Sequence, residues 1–85
     1  MNQEAKEELR RLVRGWLADR AALGFNATAI HRGVSREMAC TVPEVEDAIA
    51  LLSDLKQLKQ VPNRLGATKY WQIAAEGTLA HERGE

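Results

Sequence analysis

The residues of this chain that could do chemistry are few, and their spacing argues against catalysis. The 85 residues include one cysteine, Cys40, and two histidines, His31 and His81. Metal sites built from such residues keep their ligands at short, regular spacings. These three are scattered, so neither a metal nor another cofactor is expected. A lone cysteine cannot form an intramolecular disulfide, and nothing in the sequence sets a base beside its thiol. No glycine-rich loop follows a strand to cradle a phosphate. The carboxylates are spread over helix surfaces. A non-enzymatic protein is expected, and its chemistry is recognition.

Charge is where recognition would be written. Twelve basic and twelve acidic residues give a net charge of zero, whereas a dedicated DNA binder is usually basic because phosphate contacts carry much of its affinity. The balance hides a segregation. Residues 41–55 hold Glu44, Glu46, Asp47 and Asp54 with no base, and residues 56–71 hold Lys56, Lys59, Arg64 and Lys69 with no acid.

The elements that must position these charges follow from periodicity. Thr41-x-x-Glu44 reads as a capping box with Pro43 in the first turn, and Val42 followed by Pro43 is the alternative start. Val45, Ala48, Ile49, Leu52 and Leu55 then fall on one face of a helix over about 42–58. Upstream, Leu9, Leu12, Val13, Trp16 and Leu17 form the stripe of a helix over about 4–23, stopped by Gly24. Gly15 inside it suits close approach of a neighbouring helix. Arg10, Arg11 and Arg14 lie opposite the stripe, as a solvated charged face or a contact to DNA or a partner. A second helix over about 27–38 begins at Asn26 or Thr28 and buries Ala27, Ile30, Val34 and Met38. A break at Gly33 is the alternative. Its outward face shows Thr28, Arg32, Ser35 and Arg36.

After the third helix, strand-like segments over about 58–62 and 67–73 flank a turn at Asn63, Arg64, Leu65 and Gly66. Trp71 and Ile73 alternate onto one face, with Trp71 expected in the core, and Tyr70 onto the other, half-exposed. Leu51 and Leu58 flank the stripe of the third helix, where they either widen the core or form a dimer seam. Residues 78–85 read as a short, polar, frayed tail. No apolar run is long enough to span a membrane.

Helix, helix, helix, hairpin, with Gly66–Gly77 (GATKYWQIAAEG) closing the sequence of elements, resembles the winged helix-turn-helix superfamily, in particular small bacterial or phage transcriptional-regulator-like domains. The resemblance covers about residues 9–77 and implies an α+β, mainly α, winged helix as one domain over 1–77, with a short third strand possible near Asn26. With neither a membrane-length apolar run nor a charged-then-apolar leader, a cytoplasmic protein is expected. The resemblance also implies that the third helix enters the major groove of double-stranded DNA while the wing (about 58–73) touches an adjacent groove or the backbone. The outward face of that helix departs from the pattern, since Glu46, Asp47 and Asp54 would meet phosphates that repel them. The wing fits it better. Lys59, Arg64 and Lys69, extended by Lys56, Arg32 and Arg36, are candidate phosphate contacts, and Tyr70 is a candidate for stacking on a base. The same lysines also suit protection of a strand edge. A second expectation is protein–protein contact or homodimerisation through Glu46, Asp47, Asp54, Leu51 and Leu58. Dimerisation would also support a domain of this size.

Overall fold

The computed structural model describes residues 1–62 and 66–85. Helix α1 (Gln3–Ala18) begins where the Asn2 side chain accepts the Ala5 N–H at 2.8 Å. It stops at Asp19 rather than continuing to residue 23, and the turn that follows is held by both local and tertiary contacts. The Arg20 guanidinium bonds back to the Trp16 carbonyl at 3.0 Å and lies 4.1 Å over the Trp16 ring. The Ala21 carbonyl accepts from Gln72 Nε2 at 2.7 Å. Gly24 then passes so close to the hairpin that a Cβ there would lie 2.8 Å from Val61 Cγ2.

Helix α2 (Ala27–Val34) is capped by Asn26, whose side chain accepts the Ala29 N–H at 2.8 Å. It ends four residues short of Met38, where the Glu37 and Met38 amides both turn back to the Val34 carbonyl, at 3.0 and 3.1 Å. The helix thus ends one residue past Gly33, nearer the alternative of a break there than the extension to residue 38. A Cβ at Gly33 would stand 2.1 Å from Trp16 Nε1, so glycine there lets α1 and α2 close on each other.

Helix α3 (Val42–Asp54) takes Thr41 as its cap, with both arms of the capping box formed and Pro43 in the first turn. Its end departs from expectation. The Gln57 N–H bonds to the Leu52 carbonyl at 2.9 Å and the Lys56 N–H to the Ser53 carbonyl at 3.0 Å. That is the Schellman pattern, and it puts Lys56 in the left-handed region at φ 62°. The chain therefore leaves the helix at Asp54 instead of residue 58.

Strands β1 (Leu58–Val61) and β2 (Tyr70–Ile73) pair antiparallel, with Leu58 opposite Ile73, Lys59 opposite Gln72, Gln60 opposite Trp71 and Val61 opposite Tyr70. Phe25 adds a third-strand bridge through two backbone bonds to Trp71, at 2.9 and 2.8 Å. This is the short pairing expected near Asn26.

The tail is not frayed. Residues Ala75–Glu82 form helix α4, held to the body by its small residues. The Ala74 N–H donates to the Gln57 carbonyl at 3.0 Å, and Gly77 packs so tightly on that carbonyl that a Cβ would lie 2.1 Å from it. Ala80, three residues on, is 1% exposed.

Helix α1 is the spine, with α2, α3 and α4 packed on it. Leu9, Val13 and Leu17 meet Ile30 and Val34 of α2, Val45, Ile49 and Leu52 of α3, and Leu58 and Ile73 of the hairpin in one buried cluster. Each such side chain contributes about 1.5–3 kcal/mol on burial. Trp71 and Phe25 pack against its edge, and Trp16 meets Phe25 edge to face at 4.7 Å. Among the described residues no helix is long and apolar enough to cross a membrane.

Candidate nucleic-acid interface

Helix α3 divides its circumference into three sectors. Val45, Ala48, Ile49 and Leu52 face the core. Glu46, Ala50, Ser53 and Asp54 face a groove of about 740 Å³ between α3, the start of α2 and the hairpin. Asn26 and Thr28 form the α2 wall, Thr68 and Lys69 the hairpin wall, and Trp71 lies at the base. The third sector, with Glu44, Asp47 and Leu51, turns toward Lys6 and Arg10 of α1.

Three solved structures share this fold. SSV1 F-93 superposes with a TM-score of 0.72 at 19% identity, covering 88% of this chain and 79% of its own. A structure of HOP2, described through its DNA recognition and protein interaction domains and homologous DNA pairing, matches with a TM-score of 0.67 at 14% identity, covering 78% and 98%. GAS PerR in its Zn-Zn form matches with a TM-score of 0.60 at 12% identity, covering 86% of this chain and 43% of its own. The chain folds as a winged helix. No protein-family model and no curated protein sequence matches it.

In winged-helix terms α2 and α3 are the helix-turn-helix and β1–β2 the wing, and the expected contact residues can now be placed. Lys69 is exposed at the groove, on the same side as Glu46 and Asp54. Lys59 is exposed on the opposite face of the wing, in register with Gln72 and beside half-buried Tyr70. Lys56 is exposed at the end of α3 in its left-handed conformation. Arg32 is exposed on α2, while Arg36 borders a separate depression with Trp16 and His81. Arg64 lies outside the described residues. Among the described residues the fold thus distributes the basic side chains over several faces and brings one of the expected contacts, Lys69, into the groove.

The acidic set is divided too. Glu46 and Asp54 look into the groove, whereas Asp47 looks toward α1. Leu51 is 38% exposed, but Leu58 is 3% exposed and pairs with Ile73 in the core, so it is removed from any protein-contact surface.

Arg14 corrects the reading of α1. It is not solvated but 5% exposed, with Nη1 donating to Gln57 Oε1 at 3.2 Å and Nη2 donating to the Glu85 main-chain oxygen. Burial holds its pKa below the usual arginine value, Glu85 opposes that shift and Arg11 adds to it. Its Nε is buried without a hydrogen-bond partner. No pattern marked this arginine in advance, because its partners lie in elements distant in sequence.

The candidate nucleophile and ligands are structural. His31 Nε2 donates to the Cys40 carbonyl at 2.8 Å and so ties α2 to the turn before α3. Burial, with Glu44 adding to it, raises the Cys40 pKa, which keeps the thiol protonated and weakly nucleophilic. His81 packs on Gly15, where a Cβ would lie 3.0 Å from its Cε1. Among the described residues no three or more His, Cys, Asp or Glu side chains are placed to hold a metal ion.

Proposed function

We propose that this chain is a non-enzymatic, regulator-like module that binds double-stranded DNA weakly through its wing. The observation that carries the reading is the open groove, which brings the exposed face of the second helix of the helix-turn-helix and wing residue Lys69 onto one surface. The likeness to HOP2, whose described domains include DNA recognition, supports it. Lys69, at the groove, and Arg64 are the main phosphate contacts in this reading, Lys56, Lys59, Arg32 and Arg36 on the other faces are lesser ones, and Tyr70 is available for stacking. Glu46 and Asp54 stand in the groove, so α3 approaches phosphate less closely than the wing does. A carboxylate there can still accept from a cytosine amine.

An amide NMR titration with a mixed-sequence duplex, at low and then higher salt, tests this. Shifts at Lys59, Lys69, Tyr70, Arg32 and Arg36 that fade with salt are expected. Their absence at low salt removes the reading.

A second reading is favoured by the two groove carboxylates. They suit a basic protein segment better than a polyanion. On that reading the module is a protein-interaction winged helix, with Glu46 and Asp54 as the contact pair. The same titration with a lysine-rich peptide would then shift residues of α3 and leave Lys59 unmoved.

A further inference from the structure

The third sector of α3 carries an apolar pair that the core does not use. Leu51 and Leu55 lie one turn apart and are 38% and 53% exposed, while Val45, Ile49 and Leu52 of the same helix are buried. Two shallow depressions flank the pair, of about 490 and 280 Å³, and Arg10 borders both, beside Leu51 in one and Leu55 in the other. Lys6, Glu44 and Asp47 complete the charged rim beside Leu51, with Glu44 engaged by its own cap, and Glu7, Arg11 and Glu85 lie beside Leu55. The ion pairs among the described residues are Arg11–Glu8 and Arg83–Glu85, and neither involves Lys6, Arg10 or Asp47.

An apolar centre bordered by free charges of both signs is complementary to itself. A purely basic partner would leave Lys6 and Arg10 facing like charge, and a purely acidic one would do the same to Asp47. A second copy turned about a two-fold axis matches all three. We propose that this α1–α3 face is an isologous dimerisation surface, with Leu51 and Leu55 packed across the axis and Asp47 of each copy opposite Lys6 and Arg10 of the other. The surface lies on a different side of α3 from the groove, so the dimer leaves both grooves open. With two exposed leucines as its apolar centre, it belongs among weak, reversible associations.

Sedimentation velocity from about 10 μM to 1 mM, spanning the range in which such weak interfaces assemble, is the test. The wild-type sedimentation coefficient should rise with concentration, and the Leu51→Ser/Leu55→Ser variant should stay monomeric with an unchanged circular-dichroism spectrum. Asp47→Lys and Arg10→Asp should each weaken association tenfold or more. An equimolar mixture of those two variants should recover it, because each copy then offers the charge the other needs. This exchange tests the surface even if the leucine variant fails to fold. A monomeric wild type throughout, a dimer indifferent to both leucines, or a mixture that stays apart would overturn the proposal.

Discussion

Small residues at helix crossings decide how closely this chain packs, and they differ in what a methyl group would meet. At Gly77 a Cβ runs into the Gln57 carbonyl, which the backbone holds in place, and at Gly33 it runs into the Trp16 ring. At Gly15 the obstacle is the edge of the exposed His81 ring, which can move aside. Urea denaturation should therefore show Gly77→Ala and Gly33→Ala each destabilised by about 1–3 kcal/mol, the usual range for overpacking. Gly15→Ala should be near neutral, because a helix-propensity gain of about 1 kcal/mol offsets the displacement of the ring. Arg14 calls for a different test. A buried guanidinium replaced by an apolar side chain of similar length is often close to neutral in stability. Arg14→Met should leave the global unfolding midpoint little changed, yet speed amide hydrogen exchange at residues 83–85, which lose their tie to α1. The close approach that Gly15 makes was legible in the sequence from a glycine inside an apolar stripe. Burial of Arg14 was not, since a helical wheel places it opposite that stripe.

At the scale of elements, the start of α3 was legible and its end was not. Thr41 and Glu44 satisfy each other's amides, a local interaction that four consecutive residues encode. The Thr41 N–H, and then the Thr41 hydroxyl, donate to the Glu44 carboxylate and hold its pKa below the usual value. A depressed carboxylate pKa stabilises the fold at pH above the unfolded value, and that stabilisation is lost as pH falls through the folded one. The gap in Tm between wild type and Glu44→Gln should therefore be present at neutral pH and close as the solution is acidified through the carboxylate range. The end of α3 carries no glycine, and Lys56 takes the left-handed conformation regardless. An L-residue pays about 1–2 kcal/mol for that conformation. Lys56→Gly should raise stability by about 1 kcal/mol in chemical denaturation, after allowance for glycine's greater unfolded-state entropy. Helix α4 escaped the sequence reading for a related reason. It buries Gly77 and Ala80, which give no hydrophobic stripe to read.

For the whole molecule, the arrangement of charge matters more than its sum. Net charge is zero, yet the fold sets Lys69 beside Glu46 and Asp54 and puts Lys59 on the far face of the wing. DNA affinity built on so few phosphate contacts should be weak and strongly dependent on salt. Each contact contributes about 0.9 to the slope of log affinity against log salt. The Arg64→Ala/Lys69→Ala variant should thus bind a duplex more weakly and lower that slope by about 2 in fluorescence anisotropy. An unchanged slope would show that neither residue touches phosphate. Substituting Glu46 and Asp54 by Gln and Asn should act in the opposite sense, strengthening binding by removing repulsion from the groove.

The sequence by itself determined the three helices, the capping box, the hairpin and most of the core, because short-range periodicity and neighbouring side chains encode each of them. Tertiary structure decided where the chain leaves α1, whether its last residues form a helix, which face each charge adopts and that Arg14 and Leu58 are buried. Those outcomes depend on partners far apart in sequence: Gln72 on Ala21, Trp16 on Gly33, Gln57 on Gly77, and Glu85 on Arg14. A pattern read along one strand of sequence contains no distance between such pairs, and only packing supplies it.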